Sequence, residues 1–277
     1  MKTFIKWQGN KSKHINKFIQ YIPEFTGTYI EPFVGSGALL LKLQPEKWVI
    51  NDLNKDLINT WNKVKSNPNE IIKIFQEFGK SFKPLPKDDK VKTCREITSN
   101  IESMKYDEKR AAVYMLMKFC CYMGNIVINN KFYFNGIDLP ITINNKYFFL
   151  EENSYNNLLN VSTFLNNKNG RIFNKSYEQI LLKSKHGDFV FLDPPYIEKH
   201  DYKFNYNKNE ILDESFIIAL YNQVRKLDLK NVKWLMTQAD TIQIRQIFKE
   251  YTIKTFSVYR MASKTYVNEL LIMNYII

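Results

Sequence analysis

Hydrophobic positions along the chain follow two periods, one helical and one of short apolar runs, and their succession predicts the architecture. Ile15, Phe18, Ile19 and Ile22 recur at i, i+3, i+4 and i+7, the stripe of an amphipathic helix that Pro23 ends. Thr28-Tyr29-Ile30-Glu31 then reads as a short strand, followed by the turn Pro32-Phe33-Val34-Gly35-Ser36-Gly37 and an apolar helix from Ala38. Trp48-Val49-Ile50-Asn51 predicts a second strand, and residues 56–64 a further helix. Later strands are predicted at residues 171–174, at Phe189-Val190-Phe191-Leu192, and at residues 232–237, 253–259 and 266–274. Helical patterns separate most of them, as in a parallel α/β sheet. The last two are joined by only a few residues, which predicts an antiparallel hairpin at the sheet edge.

The alternation stops between residues 66 and 150. Ile71, Ile74, Phe75 and Phe78 form one helical stripe, residues 109–123 another, and a polar, aromatic segment follows through residue 149. The expected organisation is a sheet domain made of residues 1–65 and 151–277, interrupted by an inserted, mainly helical domain at residues 66–150.

Composition adds a direction. A chain of 277 residues has room for a full core, and 44% hydrophobic with 25% charged residues is ordinary globular composition. Forty Lys and Arg against 28 Asp and Glu give a net charge of +12. That excess favours a polyanionic partner, although richness in Lys, Asn and Ile also follows from an AT-rich genome. Of three cysteines, Cys120 and Cys121 are adjacent, so no disulfide framework is legible and a reducing compartment is expected. His14, His186 and His200 show no ligand spacing with the cysteines, and no metal site is predicted. The basic N-terminus lacks a signal-peptide core, and the apolar residues 111–128 are interrupted by Lys118 and Asn125. A soluble cytoplasmic or otherwise intracellular protein is expected.

Four segments carry chemistry. Phe33-Val34-Gly35-Ser36-Gly37 lies between a strand and a helix, where glycines allow close backbone approach and the helix start favours polar groups. A tight turn alone would explain it equally well. Asp52, after the next strand, can accept hydrogen bonds from ribose hydroxyls, or can cap the following helix. Together these two segments favour an adenosyl or dinucleotide ligand.

Asp193-Pro194-Pro195-Tyr196 directly follows an apolar strand, and its prolines force a stiff, extended exit. A carboxylate, a proline carbonyl and an aromatic ring are thereby presented together at the carboxyl edge of the sheet. Methylation of an exocyclic amine requires that set. The two oxygens accept the amine hydrogens and turn the nitrogen lone pair toward a methyl sulfonium, while the ring stacks on the base. A sulfonium leaving group is already activated, so no metal is needed. In Lys6-Trp7-Gln8-Gly9-Asn10-Lys11, the tryptophan and Lys11 could clamp the amino-acid end of such a cofactor.

In order, Lys6-Trp7-Gln8-Gly9-Asn10-Lys11, then Tyr29-Ile30-Glu31-Pro32-Phe33-Val34-Gly35-Ser36-Gly37, then Ile50-Asn51-Asp52-Leu53-Asn54, then Phe191-Leu192-Asp193-Pro194-Pro195-Tyr196 resemble the signature of Dam-like DNA adenine-N6 methyltransferases. The resemblance covers nearly the whole chain and continues at residues 235–240 and 267–272. It implies a Rossmann-like class I methyltransferase sheet, mostly parallel with an antiparallel C-terminal hairpin, and an inserted target-recognition domain. It implies S-adenosyl-L-methionine as cofactor, without metal, and double-stranded DNA as partner. It leaves room for a cognate restriction enzyme, and a bacterial, phage or viral origin would fit; oligomeric state is not legible.

The same resemblance implies that Trp7, Lys11, Asp52 and Asp193 contact the cofactor or line its pocket, and that Phe33, Gly35 and Gly37 shape it. Asp193, Pro194, Pro195 and Tyr196 would hold the adenine. That adenine must be flipped, because its N6 is stacked and paired in the duplex. Phosphate contacts would offset part of the few kcal/mol this costs. Lys131, Lys146, Lys203, Lys208, Arg260 and Lys264 are candidates, each also readable as a solvated surface cation.

Two positions depart from the pattern. Asn10 stands where the family usually has a second glycine, and a left-handed backbone is expected to be tolerated there. No arginine stands near Val127, where the family's recognition stretch has one that can read guanine. Specificity for GATC therefore does not carry over. Two other readings stay open: an amine methyltransferase acting on RNA, cytosine N4 or a protein glutamine, and a catalytically silent DNA-binding protein of the same fold.

Overall fold

The computed structural model describes residues 1–82, 84–120, 127–129, 131–133, 152–196, 214–260 and 264–276. Its strands are β1 (Tyr29–Glu31), β2 (Lys47–Asn51), β3 (Val127–Asn129), β4 (Lys131–Tyr133), β5 (Asn169–Phe173), β6 (Phe189–Leu192), β7 (Lys233–Ala239), β8 (Thr252–Arg260) and β9 (Thr265–Met273). Seven form one sheet in the order β5-β2-β1-β6-β7-β9-β8, and β3 and β4 form a separate antiparallel pair. β1 runs parallel to β2 and β6, and β6 parallel to β7, whereas β9 is antiparallel to both β7 and β8. This is the mostly parallel, Rossmann-like sheet with a C-terminal hairpin that the sequence predicts. The hairpin lies at one edge of the sheet as expected, with β8 outermost and β9 between it and β7.

The helices are α1 (Ile15–Phe18), α2 (Ala38–Leu43), α3 (Lys55–Ser66), α4 (Pro68–Phe82), α5 (Lys87–Ser99), α6 (Glu108–Cys120), α7 (Glu152–Asn167), α8 (Tyr177–Leu181), α9 (Glu214–Leu229) and α10 (Ile242–Ile247). The chain divides into two compact units. A sheet unit comprises Lys13–Val34, Pro45–Leu53 and Phe173–Ile277, and a helical unit comprises Met1–Ser12, Gly35–Gln44 and Asn54–Ile172.

In the sheet unit, every residue of β6 is buried, as expected of a central parallel strand. Val190 and Leu192 join Trp234 and Met236 of β7 and Leu220 and Val224 of α9 in one core. Phe189 and Phe191 point the other way, stacking on Phe25 at 5.5 Å and on Phe18 at 6.0 Å. Each such side chain contributes about 1.5–3 kcal/mol by its burial. α1 is shorter than its stripe predicts, because the chain tightens into a 3₁₀ turn at Ile19–Tyr21 and Ile22 is extended, with ψ of 121°. Ile22 precedes Pro23, and a proline disfavours helical dihedrals in the residue before it.

In the helical unit, α6 is buried nearly all round from Ala111 to Met117 and packs against α3, α4 and α5. Asn54 caps α3 by accepting the Leu57 N–H at 2.9 Å. Arg110 of α6 grips Asp56 of α3 at 2.5 and 3.2 Å and donates to the carbonyls of Ile101 and Met104, both at 2.7 Å. α4 and α6 fall where their stripes predict. α5 does not follow from periodicity, because only Val91, Cys94 and Ile97 supply large apolar groups along it.

Candidate active site

The parallel register determines what meets Asp193. Leu192 of β6 pairs with Met236 of β7, so the next position brings Asp193 beside Thr237. The Thr237 hydroxyl donates to Asp193 Oδ1 at 2.5 Å. Three residues on, the Tyr196 phenol donates to Glu269 Oε2 at 2.9 Å. Glu269 is buried on β9, where it pairs with Ala239 of β7, and its other oxygen lies 4.0 Å from Arg260 Nη2. The Asp-Pro-Pro-Tyr segment is therefore held at both ends by side chains from neighbouring strands. Burial pushes the Tyr196 phenol well above its ordinary pKa, and the charges of Asp193 and Glu269 push it further the same way. The phenol remains a hydrogen-bond donor.

Strand alternation puts Tyr29 and Glu31 of β1 on the same face as Phe189 and Phe191, because Tyr29 pairs with Phe189 in register. Glu31 is 3% exposed and accepts the Tyr29 hydroxyl at 2.8 Å. Burial raises the Tyr29 pKa well above normal, with Glu31 and then Asp193 adding to the shift. Glu31 is a buried carboxylate at the carboxyl edge, and it is not among the site residues expected from the sequence. The signal was an acidic residue closing an apolar strand.

The exits of β1, β2 and β5 are joined through one amide. Asn51 donates from Nδ2 to the carbonyls of Pro32 at 3.0 Å and Lys175 at 2.9 Å. Its Oδ1 accepts from Lys175 N and its backbone carbonyl from Val34 N, both at 2.9 Å. Asn174 donates to the backbone carbonyls of Asp52 and Leu53 at 2.8 and 3.0 Å. Asp52 thus sits on a braced loop at the end of β2, and the cap of α3 is Asn54, not Asp52. Phe33 lies with its ring centroid 5.1 Å from that of Tyr177.

In the helical unit, Gly35 and Gly37 have φ of +47° and +64°, a region that favours glycine. A Cβ on Gly35 would lie 2.7 Å from Cδ1 and Nε1 of Trp7. Trp61 Nε1 donates to the Gly35 carbonyl at 3.1 Å. The indole of Trp7 lies under the buried ammonium of Lys118, 4.1 Å from its ring centroid. In the sequence, Lys118 gives no signal beyond a charge within an apolar run. Lys11 is buried, and its Nζ donates to the Gly9 carbonyl at 3.0 Å.

Asn10 does not call on the tolerance expected of it. The left-handed residue of this loop is Gly9, with φ of +74°, and Asn10 is not among the residues of positive φ. Its side chain instead accepts from Ser12 N at 2.9 Å and Ser12 Oγ at 2.6 Å, fastening the 3₁₀ turn Lys11–Lys13.

Among the proposed phosphate contacts, Arg260 lies beside Glu269, and Lys264 is exposed in the turn between β8 and β9. Lys131 falls in β4 and Val127 in β3. Lys146, Lys203 and Lys208 lie outside the described residues. Among the described residues, no group of His, Cys, Asp and Glu is placed to hold a metal ion, and no helix is long and apolar enough to cross a membrane.

A mostly parallel seven-stranded sheet ending in an antiparallel hairpin, with Asp-Pro-Pro-Tyr leaving its central strand, is the frame of a Rossmann-like methyltransferase. The family model for D12 class N6 adenine-specific DNA methyltransferases matches residues 7–263, and the chain belongs to that family: it is an adenine-specific DNA methyltransferase. It is similar over 99% of its length to the type II methyltransferase M1.LlaDCHI of Lactococcus lactis subsp. cremoris, with 26% identity across 96% of that protein. The type II methyltransferase M.MjaIII of Methanocaldococcus jannaschii is 29% identical, with 99% of both chains aligned. A DNA adenine methylase of Serratia marcescens is 27% identical over 70% of this chain and 67% of its own. Membership implies DNA as substrate and S-adenosylmethionine as methyl source.

Proposed function

We propose that the protein methylates the N6 amine of an adenine flipped out of double-stranded DNA, at one short target sequence. The observation that carries this reading is the bracing of Asp193 by Thr237 and of Tyr196 by Glu269. Two acceptors and an aromatic face for the adenine are then presented with little freedom left to lose, which is the preorganisation such a step needs. The Asp193 carboxylate and the Pro194 carbonyl would take the two N6 hydrogens and orient the lone pair. Tyr196 would stack on the base, and Pro195 would keep the segment extended.

Asp52, on the braced loop after β2, would accept hydrogen bonds from the ribose hydroxyls of the cofactor, a role supported by Asn54 being the cap of α3. Trp7, Lys11, Phe33, Gly35, Gly37 and Asp193 are the other residues that would hold S-adenosylmethionine. When bound, it supplies an electrophilic methyl group on a sulfonium. Residues 66–150 would read the target, with catalysis in residues 1–65 and 151–277. Lys131, Lys146, Lys203, Arg260 and Lys264 would contact phosphates.

The test is transfer of labelled methyl from S-adenosylmethionine to unmethylated duplex DNA, with RNA in parallel, followed by nucleoside analysis and site mapping. N6-methyladenine at one short sequence is expected. Label in RNA only, or in cytosine, would overturn the reading, and so would no transfer at all with cofactor bound.

A further inference from the structure

Glu269 stands out among the charged groups around Asp-Pro-Pro-Tyr, because it opens the buried half of β9. The five residues Glu269 to Met273 are all buried, whereas Thr265, Tyr266 and Asn268 are exposed. A carboxylate there loses hydration and must be repaid by partners. It has Tyr196, whose phenol donates at 2.9 Å, and the Arg260 guanidinium at 4.0 Å.

Pleat geometry explains why these groups meet. Residues paired across an antiparallel ladder point to the same face, so Glu269 shares a face with Ala239 and, two residues back along β7, with Thr237. Phe256 of β8 pairs with Glu269, and alternation carries that face to Arg260. Thr237 grips Asp193 on this face. Both ends of Asp-Pro-Pro-Tyr are thus tied to one antiparallel pair, β7 and β9.

On the reading that Tyr196 stacks on the target adenine, we infer that Glu269 is a positioning residue for catalysis: its carboxylate fixes the far end of the Tyr196 ring so that the ring plane is set before the base arrives. The near end is set by the Pro195 peptide. The phenol oxygen lies on the χ2 axis, so its hydrogen bond fixes the direction of the ring axis through χ1, and the preference of a phenol O–H for the plane of its own ring turns that plane toward the carboxylate. Arg260 Nη2, 4.0 Å from the other carboxylate oxygen, places a positive charge on the side away from the phenol. Glu269 touches neither adenine nor cofactor in this assignment and acts only through Tyr196.

The test compares wild type, Tyr196→Phe, Glu269→Ala, Glu269→Gln and the double variants in single-turnover methylation of duplex DNA carrying the mapped target. Affinity for S-adenosylmethionine is measured by calorimetry alongside. Losing a hydrogen bond to a charged group corresponds to a rate loss of about tenfold or more. Glu269→Ala and Tyr196→Phe should each show it, with cofactor affinity within about twofold of wild type. The Tyr196→Phe, Glu269→Ala double variant should be no slower than the slower single, since both remove one interaction. Glu269→Gln should recover most of the rate, because its amide oxygen still accepts.

Multiplying losses in the double variant would overturn the assignment, as would a folded Glu269→Ala enzyme at wild-type rate. Equal losses of rate and cofactor affinity would show a merely structural role. Where Glu269→Ala does not fold, the cycle between Tyr196→Phe and Glu269→Gln decides in the same way: a deficit of Gln that persists in the Phe background sinks the inference. A wild-type enzyme that leaves adenine unmethylated would instead remove the functional reading on which it rests.

Discussion

Replacing Gly35 with alanine probes the contact between the glycine turn and Trp7. Two costs follow from the geometry. At φ of +47° an L-residue is in the left-handed region, which costs roughly 1–2 kcal/mol relative to glycine, partly offset by about 0.4–1 kcal/mol from the stiffer unfolded chain. The new methyl would also lie 2.7 Å from Cδ1 and Nε1 of Trp7, so the indole must retreat by about an ångström to reach van der Waals contact. An indole is not the loose end of a flexible chain, and this one sits 4.1 Å below Lys118 Nζ. Moving it forces a torsion off its rotamer, at about 0.5–1.5 kcal/mol, and weakens a cation–π contact worth about 0.5–2 kcal/mol. A net destabilisation of about 2–3 kcal/mol is expected, together with a loss of S-adenosylmethionine affinity of about tenfold. Urea unfolding followed by tryptophan fluorescence reads the first, and calorimetry the second. A variant within about 0.5 kcal/mol of wild type that binds cofactor normally would refute the reasoning, and would mean that Trp7 is free to swing away.

Three further outcomes follow from the site. Asp193→Ala should cut methyl transfer by at least about a hundredfold while melting within a few degrees of wild type, and substantial residual turnover would contradict its role as acceptor. Asp52→Ala should weaken S-adenosylmethionine binding by about tenfold and leave DNA affinity nearly unchanged, in paired calorimetric and DNA-binding titrations; unaltered cofactor affinity would remove the ribose assignment. DNA affinity should fall steeply and linearly on a log–log plot against salt, and a flat response would leave the basic residues without phosphates to contact.

The sheet was legible because its strands are short apolar runs bounded by Pro, Gly and Asn, and the site segment because its prolines permit little but an extended exit. The bracing was not. Thr237 lies 44 residues and Glu269 73 residues from their partners in Asp-Pro-Pro-Tyr, and only strand order and register bring them together. Periodicity carries no such information. Lys118 is a similar case, since a lysine within an apolar helix is explained only once Trp7 is placed beneath it. Asn10 is a further case, since its side chain accepts from Ser12 N at 2.9 Å and fastens a turn that periodicity does not predict.

The Asn51 amide has a mechanical consequence. One side chain ties the loop after β1 through Pro32 to the loop after β5 through Lys175, and its own backbone leads into Asp52. These three loops cannot drift independently, so length changes in any of them are transmitted to the other two. A redesign that lengthens or swaps one loop should carry residues 32–34, 51–54 and 174–175 together as a cassette. Mutational tolerance along the chain should dip at all three places at once, although they lie far apart in sequence.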